Sequence, residues 1–155
     1  MTDKKIPSES IGLASDHRGV QLKRELIDFL KSKGVSVTDF GPNSDTSVDY
    51  PDYAIRVAEA VSRGEVKQGI VICHTGIGVS VSANKVKGVR AALCHNPEQG
   101  ELARRHTDAN VLALPAGFID SKQAKVIVER WLSAKFEHGR HEQRIEKIKA
   151  YERKG

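Results

Sequence analysis

Residues 68–85, QGIVICHTGIGVSVSANK, carry the side chains whose types and spacing could do chemistry. Cys73 ends an apolar run, Thr75 offers a hydroxyl two residues on, and Gly76 and Gly78 permit a tight corner. The pattern predicts a buried strand over 69–73, a turn over 74–78 and a helix from about Val79. Free N–H groups at that helix start would face the thiol, an arrangement that favours anions and makes a cysteine reactive. The expectation is a nucleophile or base beside a small oxyanion or sugar site.

The same residues argue against other chemistries. Gly76-Ile77-Gly78-Val79-Ser80-Val81 begins like a dinucleotide fingerprint but lacks its third glycine. No acidic residue closes the strand expected at 89–94 to hold a ribose, and no GxxxxGK[ST] loop is present. His74 adjoins Cys73 and should point away from it, which makes it a poor dyad partner and weakens a cysteine-hydrolase reading. Cys94, with no glycine turn after it, reads as a buried thiol. No His/Cys/Asp cluster has metal-ligand spacing, so no metal is expected.

Five strands and the helices between them must position this corner. Ser10 to Ser15 is a short apolar run, followed by the polar turn Asp16-His17-Arg18-Gly19 and a helix with Leu22, Leu26, Ile27 and Leu30 on one face. Val35 to Phe40 alternates apolar and polar residues, as an edge strand does. An irregular segment over 41–51 leads to a helix carrying Ala54, Val57, Ala58 and Val61. After the corner, whose helix should run to about Gly88, a fourth strand spans 89–94. Asn96-Pro97 then caps a helix reaching about His106. Asn110 to Leu114 is the fifth strand, and Ala124, Ile127, Val128, Trp131 and Leu132 mark the next helix. Gly139 separates it from a polar final helix.

This alternation predicts a three-layer α/β/α sandwich, Rossmann-like, around a five-stranded parallel sheet in flavodoxin-type order, with an extra C-terminal helix. Ligands bind such sheets beyond the strand C-termini, where strand order reverses. Asp16, His17, residues 73–78, Asn96 and the 115–117 turn all fall on that rim.

The 155 residues suggest one domain over 1–155, with 1–9 a flexible lead-in and no secretory signal. No apolar run approaches a membrane span. Two cysteines outside any disulfide framework suggest a cytoplasmic chain with reduced thiols. The 25 Lys and Arg exceed the 20 Asp and Glu by five, but they mix with acids along helices and accompany few aromatics. Nucleic acid is therefore a weaker expectation than a small anionic substrate. Arg140 and Arg144 share one helix face and could clamp a phosphate. His106 could serve chemistry or simply the helix C-terminus.

In combination the motifs resemble the ribose-5-phosphate isomerase B family, which includes galactose-6-phosphate isomerase subunits and allose-6-phosphate isomerases. They are SDHRG at 15–19, DYPDYA at 49–54, C-x-TGIG-x-S-x-SANK at 73–85, GVRAAL at 88–93, ARRHTDANVLAL at 103–114 and GRHEQRIEKI at 139–148. The resemblance runs from about Ile11 to Tyr151. It implies a cofactor-free aldose–ketose isomerase of the pentose phosphate pathway acting on ribose 5-phosphate and ribulose 5-phosphate through an enediolate. It also implies a homodimer, or a dimer of dimers, whose sites draw on both subunits, with helix 139–155 at the interface.

By the same resemblance Cys73 is the base, Thr75, His106 and Asp16 assist ring opening or proton transfer, and His106 comes from the partner. Backbone amides of His74, Thr75, Gly76, Ile77 and Gly78 stabilise the enediolate oxygen. His17, Arg140 and Arg144 hold the phosphate, with Thr107 lining the site. Three positions depart from the family pattern. His74 replaces a usual glycine, Thr107 a common asparagine, and Gly117 an arginine of the phosphate clamp. One charged hydrogen bond fewer weakens binding by about 1.5–3 kcal/mol. Either His74 or His95 compensates, with Gly117→Arg expected to tighten binding, or the substrate is another sugar, such as a six-carbon phosphate. A non-catalytic sugar-phosphate binding subunit is a further reading, against which the joint presence of Cys73, Thr75 and His106 argues.

Overall fold

A computed structural model describes residues 9–155, so all but Glu9 of the expected lead-in lies outside the described residues. The chain alternates β1 (Ile11–Ser15), α1 (Val20–Ser32), β2 (Val37–Asp39), α2 (Tyr50–Ser62), β3 (Gln68–Cys73) and α3 (Ile77–Ala83). It continues through β4 (Ala91–Leu93), α4 (Pro97–Thr107), β5 (Val111–Pro115), α5 (Ser121–Ser133) and the C-terminal α6 (Arg140–Arg153). All strand pairs are parallel.

Side chains alternate across the sheet, so each central strand feeds two cores. Leu13, Ile70, Ile72, Leu112 and Leu114 pack under α1, α4 and α5, where Trp131 is fully buried. The opposite face is built of smaller residues: Ala14, Val71, Cys73, Val111 and Ala113 meet Ala54, Val57 and Ala58 of α2 and Val79 and Ala83 of α3.

The strand order is β2-β1-β3-β5-β4. The first three strands follow the flavodoxin-type order, but the last two are exchanged relative to it. Burial explains the exchange. Val111 to Leu114 are entirely apolar and wholly buried, suiting a central strand, whereas Ala91 to Leu93 of β4 are only partly buried and take the edge. One expectation changes as a result: His95, which follows β4, is separated from the Cys73 corner by β5 and is poorly placed to compensate there, while Cys94 is buried as expected.

β2 is the other edge strand, as its alternation predicts. α3 ends at Ala83, five residues before Gly88, because Asn84 turns its amide onto the β4 edge. Its Oδ1 accepts from Ala91 N at 2.8 Å and its Nδ2 donates to Ala91 O at 3.0 Å.

Candidate active site

The β3–α3 corner stands between β1 and β5, so the loops after all three strands converge on it. Register sets their levels, since Ser15 pairs with Ile72 and Cys73 with Pro115. Ala116 N and Gly117 N donate to Cys73 O and His74 O, both at 2.9 Å, fastening the β5 turn to the corner. Gly76 caps α3 with a left-handed φ of 74°, which glycine adopts without strain.

That turn delivers one amide to the thiol: Gly76 N donates to Cys73 Sγ at 3.2 Å. Cys73 is 5 % exposed and sits at the floor of a cleft of about 370 Å³ lined by Asp16, Tyr50, Cys73, His74, Thr75, Ile77 and Gly78. Ile77 N donates to Thr75 Oγ1 at 3.1 Å, orienting the hydroxyl. Two of the amides expected to cradle a substrate oxygen are therefore engaged within the corner itself. Asp16 Oδ1 accepts from Arg18 N at 2.9 Å and Gly19 N at 3.2 Å, which fixes its carboxylate beside the thiol. Tyr50, the first residue of α2, is the lining residue that the sequence reading missed. Its position in DYPDYA was visible, but nothing in local spacing says that this helix start leans over the corner.

His17 turns to a neighbouring pocket, of about 420 Å³, that also contains Arg18 and Arg24. Its Nδ1 accepts from Val48 N at 3.2 Å. His106, Thr107, Arg140 and Arg144 are not brought to the cleft within one chain. α4 descends from the rim and ends just before β5 begins, so His106 and Thr107 lie at the strand N-terminal edge. Thr107 Oγ1 donates to Ala103 O, and its carbonyl accepts from Arg90 Nε at 2.9 Å.

At that lower edge His106 stacks on His141 of α6, ring centroids 4.2 Å apart and nearly parallel at 8°. Glu137 Oε1 lies 3.6 Å from His106 Nε2 and 3.5 Å from His141 Nε2, while its other oxygen takes Arg105 at 2.5 Å. Arg105 holds the Glu137 carboxyl below the usual carboxylate range. Burial lowers His141 below an ordinary imidazole, with the positive charges of His106 and Arg140 adding to it. Among the described residues His106, Glu137 and His141 form one group able to offer a metal ligands, assembled by folding from α4, α6 and the segment that precedes α6. The parallel rings and the Arg105 contact suit a charge network that fixes His106 better than a metal cage. Cys94 is a different thiol altogether, pushed up to about 12 by burial.

Fold and corner together define a class: an α/β protein with a cleft lined by a carboxylate, a thiol and a hydroxyl at the point where strand order reverses. The sequence model of the Ribose/Galactose Isomerase family matches residues 11–148. Ribose-5-phosphate isomerase B of Escherichia coli (strain K12) is 46 % identical over 146 residues, covering 94 % of this chain and 98 % of that one. A solved ribose-5-phosphate isomerase B of Clostridium thermocellum superposes with a TM-score of 0.92 at 51 % identity, covering 94 % and 98 % of the two chains. The Mycoplasma genitalium enzyme, solved with bound ribulose-5-phosphate, gives 0.91 at 47 % identity, covering 94 % and 97 %. The chain belongs to the ribose/galactose isomerase family.

Among the described residues no helix is long and apolar enough to cross a membrane.

Proposed function

We propose that this protein interconverts ribose 5-phosphate and ribulose 5-phosphate, with Cys73 as the base. The observation that carries the reading is the Cys73 thiol, held by the Gly76 N–H at the floor of a cleft shared with Asp16 and Thr75. The reaction moves one proton between adjacent carbons and one between their oxygens. It is redox-neutral overall and needs no cofactor. Cys73 takes the proton from C2 of the open-chain aldose, leaving an enediolate, and returns it to C1. A base placed beside preorganised donors is what such a carbon acid requires.

Asp16 and Thr75 face the sugar oxygens and serve ring opening and proton transfer between O1 and O2, together with the partner subunit's His106. His17, and the partner's Arg140 and Arg144, take the phosphate. Two features support a homodimer with shared sites. In one chain His106, and the α6 start that stacks on it and carries Arg140 and Arg144, lie toward the strand N-terminal end, whereas Cys73 is at a strand C-terminus. A groove of about 770 Å³ between the β4 edge and α6 is lined by Val89, Ala92, Ile148 and the 78 % exposed Tyr151. We assign α6 and the rest of 139–155 to that interface, within a single domain acting on a phosphorylated sugar in the cytoplasm.

The test is a panel of pentose phosphates, hexose phosphates and free sugars offered to the wild type and to Cys73→Ala. The reading requires ribose 5-phosphate to be the best substrate and Cys73→Ala to lose about 10²–10⁴ in kcat while still binding it. Turnover by Cys73→Ala at the wild-type rate removes the base assignment, and a preference for a six-carbon phosphate moves the substrate.

A further inference from the structure

One lining residue of the cleft, His74, rests against Gly117 of the β5 turn behind it. A Cβ built on Gly117 would lie 2.1 Å from His74 Cε1, 2.2 Å from Nδ1 and 2.8 Å from Nε2. The imidazole is therefore seated on the Cα of residue 117, and no larger residue fits there while the ring stays. Glycine is required here by space alone, since Gly117 is not among the glycines with positive φ. The seat is firm. Gly117 N donates to His74 O at 2.9 Å, and the Phe118 ring backs the imidazole at 5.5 Å and 55°.

The cleft is lined by Asp16, Tyr50, Cys73, His74, Thr75, Ile77 and Gly78, which include no lysine or arginine. Among the residues that this chain itself contributes to the cleft, His74 is the one side chain that can present a positive charge or an N–H to an anion. It is half-buried, and the Phe118 ring lies beside it. We propose that His74 is a specificity-determining residue that binds the anionic phosphate of the substrate, and that Gly117 is the seat that admits its ring. The proposal rests on the isomerase reading and adds to it a contact from the same chain that holds the base. It also reverses the expectation for Gly117→Arg: an arginine there must first displace the imidazole, so it weakens ribose 5-phosphate binding.

A double-mutant cycle of His74→Ala, Gly117→Ala and the pair, read with ribose 5-phosphate and free ribose, tests this. His74→Ala should raise KM for ribose 5-phosphate about tenfold, more than it changes kcat, and affect free ribose much less. Gly117→Ala should act alike by pushing the ring aside, and the pair should be no worse than His74→Ala alone. Additive effects, an unchanged KM in either single variant, or equal effects on both sugars would overturn the proposal. Thermal melting guards against a trivial loss: Gly117→Ala should lower Tm by about 3 °C only where His74 is present. Wild-type turnover is scored first. If the wild type binds ribose 5-phosphate without isomerising it, the isomerase reading falls, and the same cycle read by calorimetric Kd still decides the His74 contact. If it does not bind ribose 5-phosphate at all, both fall.

Discussion

Gly76→Ala separates what the corner does for the fold from what it does for the thiol. Alanine at a φ of 74° costs about 1–2 kcal/mol in conformational terms. Its Cβ would also lie 2.4 Å from Leu93 Cδ1, 3.1 Å from Leu114 C and 3.2 Å from Pro115 N. The leucine methyl can move, but the two β5 backbone atoms cannot, and crowding of this kind adds about 1–3 kcal/mol. The sum, about 2–5 kcal/mol, should lower Tm by about 5–15 °C in a chain of this size.

Relief requires the turn to retreat from β5, and that carries the Gly76 N–H away from Cys73 Sγ. Losing a hydrogen bond to a group that carries charge during the reaction should reduce kcat by about 10–100-fold. Gly64→Ala is the control. Its φ is 76° and nothing lies within 4 Å of the built Cβ, so only the conformational cost applies and kcat should hold. Circular dichroism melts and initial rates at 25 °C read both effects. A wild-type Tm in Gly76→Ala would refute the packing argument. A lowered Tm with kcat intact would refute the coupling between turn and thiol.

Three further outcomes are expected. Mixing Cys73→Ala with His106→Asn, each inactive alone, should restore up to about a quarter of wild-type activity if sites are shared across a dimer, and no recovery would place each site within one chain. Lys23 is fully buried and donates to Asp39 Oδ1 at 2.5 Å and to Pro42 O at 2.7 Å. Lys23→Met leaves the buried Pro42 carbonyl without its donor and should cost about 1–3 kcal/mol in denaturant unfolding, an unchanged midpoint contradicting the role of this lysine. Finally, a histidine held below its ordinary value binds its proton more weakly folded than unfolded. The stability contributed by neutral His141 is therefore complete above the unfolded value and is lost as pH falls through the lowered one. Melts from about pH 7 to pH 5 should fall more steeply for the wild type than for His141→Gln, and parallel curves would exclude His141 as the source.

Much of this protein is legible in the linear chain because its signals are local. The apolar run ending at Cys73, the glycines after it and the Asn96-Pro97 helix start each fix a backbone shape through near neighbours. The structure has the strand, the left-handed Gly76 and an Asn96 side chain accepting from Gln99 N at 2.8 Å. The parallel alternation and the β2 edge follow from hydrophobic period for the same reason. Strand exchange at the far edge was not legible, since both β4 and β5 are short apolar runs and only competition for burial decides which is central. Tyr50 was missed because its approach to the corner depends on how α2 packs, and Asn84 because its partner, Ala91, lies across a turn.

The chemistry available at the corner comes from residues in direct succession, which bring a thiol, a hydroxyl and amides within one strand–turn–helix. Tertiary structure alone decided what stands around it. Gly117 and His74 are 43 positions apart and read separately as two departures from a pattern, yet the β3 and β5 turns pack them into a single contact. Side-chain volume between distant loops has no periodicity for a sequence to display. It is settled only when the strands are side by side.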